Sequence, residues 1–192
     1  MLGARAKVPL LSVDETFYIC ESLVVADYIA ERFATDGGIL PSDPEERAIA
    51  RLFTEVCGSC CFSYFSLLRA KDDKLREEVK AFREGLEGVN AFLTRFGIDN
   101  GPFLFGDRFS LAECHAAPFV VRACAILPAF TGGDCHVDPL EICDELGLVR
   151  LRQWMEAVLS RPSVIATCVS KEEMIESTTR MLERFAAMDQ KN

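Results

Sequence analysis

With 30 acidic against 21 basic side chains in 192 residues, the chain carries a net charge of −9. That argues against nucleic acid, whose phosphates need clustered Lys and Arg. No apolar run approaches the roughly 20 residues that span a bilayer, and residues 1–9 hold two bases and no apolar block of signal-peptide length, so a cytoplasmic protein is expected.

The first stretch with distinctive chemistry runs from Lys7 to Ser22. Val8-Pro9-Leu10-Leu11 and Phe17-Tyr18-Ile19-Cys20 are short apolar runs, joined by polar residues that include Asp14-Glu15. Two strand-like runs so joined predict a β-hairpin. Pro9 has no N–H for a ladder, so it marks an edge, a bulge or a cis bond. A backbone bent there can offer its neighbour's N–H and C=O to an extended ligand. From Ser22 on, the rhythm turns helical through Leu23, Val24, Ala26, Tyr28 and Ile29. A helix start has free N–H groups and partial positive charge, which suit a carboxylate. Ser22 can add a hydroxyl to that carboxylate, and Glu21 can pair with an adjacent ammonium, as a zwitterionic amino-acid head group requires. Taken alone, the same residues fit more simply a routine N-cap at Ser22 and a first-turn acid at Glu21, with no ligand.

Thr35 to Pro44 is rich in breakers and ends the strand signals. Ser42 or Asp43 can cap a helix from Glu45 to about Leu68, with Pro44 in its first turn. A second helix is predicted from about Asp73 to Phe96, apolar at Leu75, Val79, Phe82, Leu86, Val89 and Leu93. After the break at Asn100-Gly101-Pro102, Ser110 and Glu113 have the spacing of a capping box. The helix that follows, to about Leu127, is apolar on most sides and belongs at the centre of a bundle. Thr131 to Pro139 is a loop. A short helix lined by Leu148, Leu151, Trp154 and Val158 ends near Arg161-Pro162, and Trp154 is expected in the core. Lys171 to Met188 is a last amphipathic helix. The fold class predicted is α+β, mostly α.

Nine cysteines, an odd number, suit reduced thiols in the cytosol. Cys57-Gly58-Ser59-Cys60-Cys61 reads either as a redox or metal pair or as small residues at a tight helix contact. His115 and His136 are isolated, and no metal is expected.

Three segments carry a family resemblance. The Val8-Pro9-Leu10 strand, the hairpin and the Glu21-Ser22 helix start resemble the second half of the glutathione-binding domain of glutathione transferases. Phe109-Ser110-Leu111-Ala112-Glu113 resembles the Phe-Ser-Leu-Ala-Asp motif that opens the central helix of that family's C-terminal domain, with Glu for Asp. Leu151 to Met155 with Pro162-Ser163-Val164 resembles the Leu-x-x-Trp-Met … Pro-x-Val of omega-like members. The resemblance implies a truncated thioredoxin-like half-domain over residues 1–36, then an all-helical transferase-type bundle over 43–192. It implies glutathione as co-substrate, with Val8 and Pro9 on its cysteinyl part and Glu21 and Ser22 on its γ-glutamyl head group. Electrophile contacts are expected from Tyr64, Leu68, Phe119, Arg122 and Phe185. The implied partners are a small electrophile or disulfide and a second copy of the chain, with no nucleic acid and no membrane. The family's β-α-β unit before the hairpin is expected to be missing from this sequence together with its activating residue, so no catalytic residue is assigned. The alternative is a non-catalytic module that mediates protein–protein interaction.

Overall fold

The computed structural model of the chain describes residues 8–33, 38–61 and 63–189. It opens on an antiparallel hairpin of β1 (Leu10–Val13) and β2 (Phe17–Cys20), with Leu10 opposite Cys20 and Val13 opposite Phe17. Asp14 and Glu15 turn the chain in the left-handed region, at φ 51° and 58°. The first strand lies two residues later than the apolar run from Val8 predicts. Pro9, joined to Val8 by a cis bond, gives the ladder no N–H. Ser12 and Val13 instead extend a period-2 pattern that keeps Leu11 and Val13 on the half-buried face.

Helix α1 (Ser22–Phe33) follows directly and buries Ala30. Leu10, Phe17, Tyr18, Val24 and Phe33 of this unit are each more than half exposed. Residues 34–37, where the first part was expected to end, lie outside the described residues. Beyond them the Ile39 carbonyl accepts from the Leu111 N–H at 2.9 Å, tying the connecting segment to the bundle.

The bundle begins with α2 (Pro44–Cys61), whose first turn is capped by Asp43 accepting from the Glu46 N–H at 2.9 Å. Residue 62 lies outside the described residues, and beyond it α3 (Ser63–Arg69) is helical within the span predicted to Leu68. Helix α4 (Asp72–Phe96) buries Phe82, Leu86, Val89 and Leu93, one stripe at helical spacing. It meets α2 closely. A Cβ added at Gly85 would stand 2.9 Å from Cys60 Sγ, and Cys60 Sγ is 4.0 Å from the Phe82 carbonyl oxygen. Gly85 of α4 and Cys60 of α2 thus meet at a close helix approach.

Helix α5 (Leu111–Phe130) packs against α1, α2 and α3 and against the helices that follow. At 20 residues and mean hydropathy 1.3 it is, by length and composition, long and apolar enough to cross a membrane. That corrects the expectation that no run approaches this length. Here the helix carries Glu113 and Arg122 and forms the middle of the bundle. Its start is the capping box that the spacing predicts: the Ser110 N–H donates to Glu113 Oε2 at 2.8 Å, and the Ser110 hydroxyl accepts from the Ala112 N–H at 3.2 Å. Ser110→Ala should lower stability by about 0.5–2 kcal/mol, read as a shift in urea midpoint at unchanged slope. An unmoved midpoint would remove the hydroxyl from the account of this helix start.

A helix that the periodicity does not mark, α6 (Pro139–Glu145), is started by Asp138 accepting from the Leu140 N–H at 2.8 Å, with Pro139 in its first turn. Then come α7 (Val149–Ser160), α8 (Pro162–Thr167) and α9 (Lys171–Asp189). Trp154 of α7 is fully buried, edge-on to Phe53 at 5.2 Å. The fold is α+β and mostly α, a two-stranded sheet followed by an all-helical bundle.

Candidate functional site

The hairpin register sets Leu10 against Cys20, so the residues just outside it, Val8-Pro9 and Glu21-Ser22, lie at the same end of the sheet. Val8 is 94% exposed and stands before the ladder. Glu21 has φ 72°, in the left-handed region that side chains other than glycine rarely adopt. Its carbonyl accepts from the Val25 N–H at 2.9 Å. Glu21 therefore holds the cap position and Ser22 is the first residue inside the helix, which corrects the reading of Ser22 as the cap. The first turn of α1 holds no acid. The N–H groups of Ser22, Leu23 and Val24 meet no acceptor among the described residues. Nor does the exposed Glu21 side chain take part in an ion pair there.

Ser22 and Leu23 form one wall of a cleft of about 340 Å³; Thr54, Cys57 and Gly58 of α2 and His115, Ala116 and Phe119 of α5 form the others. The volume is in the range of small-molecule sites. Of the five expected electrophile contacts, Phe119 lines this cleft. Tyr64 is 1% exposed and packed in the core, and Leu68 lies half-buried against it. Arg122 faces a second cavity on another side of α5. The Phe185 ring lies under the Arg69 guanidinium at 4.8 Å. The structure thus brings Ser22 and Phe119 together and leaves Tyr64, Arg122 and Phe185 elsewhere.

The cleft also holds a residue that sequence reasoning set aside. His115 joins three helices. Its Nδ1 is 3.2 Å from Thr54 Oγ1 on α2, and its Nε2 is 3.4 Å from Asp27 Oδ1 on α1. The Thr54 hydroxyl also lies 3.0 Å from the Ala50 carbonyl, to which it donates. Nε2 is buried without a hydrogen-bond partner of good geometry among the described residues. Burial holds the imidazole below its usual pKa, and the Asp27 carboxylate opposes this only in part. Because the folded pKa is depressed, the unfolded chain binds the extra proton more readily below about pH 6.5. Stability should therefore fall as pH drops through that value toward the folded pKa, and His115→Gln should flatten this part of the profile. Urea midpoints at neutral and mildly acidic pH measure it, and a variant with the wild-type slope would refute the assignment.

Comparison with known proteins places these features in context. Residues 49–164, more than half of the chain, match the family described as the glutathione S-transferase C-terminal domain. Glutathione S-transferase F14 of Arabidopsis thaliana is 28% identical over an alignment of 197 positions that covers 91% of this chain and 68% of that protein. The trimeric glutathione transferase TDR1 of Leishmania shares the fold with a TM-score of 0.77 at 24% identity, covering 95% of this chain but 39% of that one. The Tau class glutathione S-transferase MiGSTU of mango, Mangifera indica, has a TM-score of 0.71 at 21% identity, covering 93% of this chain and 83% of its own. The chain thus spans well under half of the Leishmania protein and about two thirds of the Arabidopsis one.

Proposed function

Because the chain belongs to the glutathione transferase family, we propose that it binds glutathione through Val8, Pro9, Glu21 and Ser22 and offers the adjoining cleft to a small electrophile or mixed disulfide. The observation that carries this reading is the left-handed Glu21 at an open helix start. A non-glycine residue held there costs about 1–3 kcal/mol and persists at sites where surrounding structure and function demand it. In this reading the γ-glutamyl carboxylate takes the free N–H groups of α1 and the Ser22 hydroxyl. Its ammonium pairs with Glu21, and the cysteinyl backbone lies along Val8. The glutathione thiolate then attacks the electrophilic carbon, forming the C–S bond as a leaving group departs with its electron pair or a conjugated double bond opens and takes up a proton, or it attacks a mixed disulfide, breaking the S–S bond and releasing the other thiolate. The thiol-activating residue is not assigned to any position of this chain. We place the protein among omega-like members on the Leu151 to Val164 segment, as a cytoplasmic homodimer.

A second reading, a non-catalytic binding module, draws on the exposed apolar residues of the hairpin and α1, a surface suited to a protein partner. Titration calorimetry of the 192-residue chain separates the two. Glutathione should bind, and cysteinylglycine, which lacks the γ-glutamyl head group, should bind far more weakly. Equal affinity for both would remove Glu21 and Ser22 from the site, and no binding of either would favour the module.

A further inference from the structure

His115 stands between the bundle and the helix that begins at Ser22. On one side it borders the cleft together with Ser22, Leu23 and Phe119. On the other it borders a space of about 20 Å³ between α1, α2 and α5, room for little more than one water molecule. Its side chain is 9% exposed, and its ring nitrogens reach Thr54 of α2 at 3.2 Å and Asp27 of α1 at 3.4 Å. Asp27 follows Ser22 by five residues on α1, roughly 7 Å along the helix axis. The apolar hold on this helix is light: Ala30 is its buried residue, while Leu23, Val24, Ile29 and Phe33 are exposed. The polar contact of His115 with Asp27 therefore weighs heavily in setting where the Glu21-Ser22 helix start lies.

The charges around the ring come from two helices. Asp27 and Glu31 of α1 face Arg47 and Arg51 of α2 across the small space, and Glu55 and Cys57 of α2 lie on the cleft side. On α5 itself, Glu113 is taken up by Ser110, Leu104 and Trp154, and Cys114 lines a cavity on another side of the helix. The acids of the small space are matched in number by arginines, so no surplus negative charge there calls for an imidazolium. Nε2 has no hydrogen-bond partner of good geometry among the described residues. Burial lowers the imidazole pKa by more than the Asp27 carboxylate raises it. A proton added to this ring thus places a poorly solvated charge at the joint between α1 and α5.

We propose that His115 is a positioning residue for the glutathione site: as the neutral imidazole it holds α1 on the bundle with the Glu21-Ser22 helix start beside the cleft, and its protonation and glutathione binding oppose one another. This rests on the glutathione reading above and names the residue that couples that site to pH. A protonated ring is relieved by opening of the joint, which admits water to the ring and draws α1 away from α5. Glutathione uses the start of α1 and the walls from α2 and α5 at once, so it binds the closed joint. By linkage it must lower the His115 pKa by the same factor by which the proton lowers its affinity. The carboxyl, amino and thiol groups of glutathione titrate outside the range between about pH 5 and 7.

The test follows the imidazole resonances of the two histidines by NMR through a pH titration of the full chain, with and without saturating glutathione. The His115 midpoint should fall when glutathione is bound, while that of the exposed His136, beside Glu141, should stay in place. Calorimetry should show glutathione affinity falling at least about fivefold between neutral pH and one unit below the His115 midpoint of the free chain. His115→Gln keeps a hydrogen-bonding amide that does not titrate, so it should bind nearly as well as wild type at neutral pH and lose the pH dependence. His115→Leu keeps bulk without the polar contacts and should bind at least about fivefold more weakly at neutral pH. A His115 ring that does not titrate in the folded chain, a midpoint that glutathione leaves unmoved, or an affinity that is flat or rises on acidification would each overturn the proposal, and all three are read on the unaltered chain should a variant fail to fold. Wild-type pH dependence in His115→Gln, or wild-type affinity in His115→Leu, would also overturn it. Failure of the underlying reading looks different: the wild type then binds no glutathione at any pH, and the proposal falls with it.

Discussion

Glu113→Ala is expected to lower stability by about 3–5 kcal/mol, the largest effect of any single change considered for this chain. The Glu113 carboxylate is fully buried. It accepts from the Ser110 N–H at 2.8 Å and the Ser110 hydroxyl at 2.7 Å on Oε2, and from the Leu104 N–H at 2.9 Å and Trp154 Nε1 at 3.2 Å on Oε1. One side chain thus joins the start of α5, the loop before it and α7. Its removal strands two backbone donors and an indole N–H away from water, each worth about 1–3 kcal/mol, with some relief from a rotated hydroxyl and local collapse. The melting temperature should fall by roughly 10 °C or more. Glu113→Gln separates hydrogen bonding from shape, since its NH₂ must face donors where an oxygen accepted before. A Gln variant as stable as the wild type would show that packing, and not the four hydrogen bonds, holds this junction.

The same residue shows how far the sequence could be read. Ser110 and Glu113 announce a capping box because both ends of that interaction are local. The reach of Oε1 to Leu104 and to Trp154 is not local, and no spacing rule connects positions brought together only by the packing of α7 on α5. The long stripes of α4 and α5 were legible for a related reason, since many residues repeat one period there. Short elements were not: β1 is displaced by the missing N–H of Pro9, and α6 depends on the single cap Asp138. At the site, Glu21-Ser22 could be picked out from a strand signal giving way to a helix signal. The left-handed backbone at Glu21, which moves the cap from Ser22 to Glu21, has no composition cue, as Asn or Gly would have supplied. His115 carried no sequence signal because Asp27 and Thr54 lie on two other helices. The electrophile residues taken from the resemblance depend on side-chain direction as well as position. Tyr64 turns into the core while Phe119, on another helix, turns into the cleft.

Glu21→Ala is expected to weaken glutathione binding by about 1–3 kcal/mol, or roughly 5- to 150-fold, while leaving the fold nearly unchanged. The stability side follows from exposure: the Glu21 side chain lies at the surface and makes no ion pair among the described residues, so the bundle loses little when it goes. A slight loss from placing Ala at φ 72° is shared by both side chains, since each carries a Cβ. The affinity side follows from charge. The free N–H groups of α1 attract the head group's carboxylate, but they repel its ammonium, and Glu21 is the carboxylate at that helix start able to balance it. Without it the ammonium must stay solvated or remain unpaired, and the carboxylate contact is strained to allow this. Glu21→Gln should recover part of the loss through a neutral hydrogen bond, and raised salt should narrow the gap between wild type and Ala. Calorimetry with glutathione on the three proteins measures both effects. Equal affinity across them would take the γ-glutamyl ammonium away from Glu21, whereas a loss in Ala that salt does not narrow would assign the role to the local backbone at Glu21 and not to its charge.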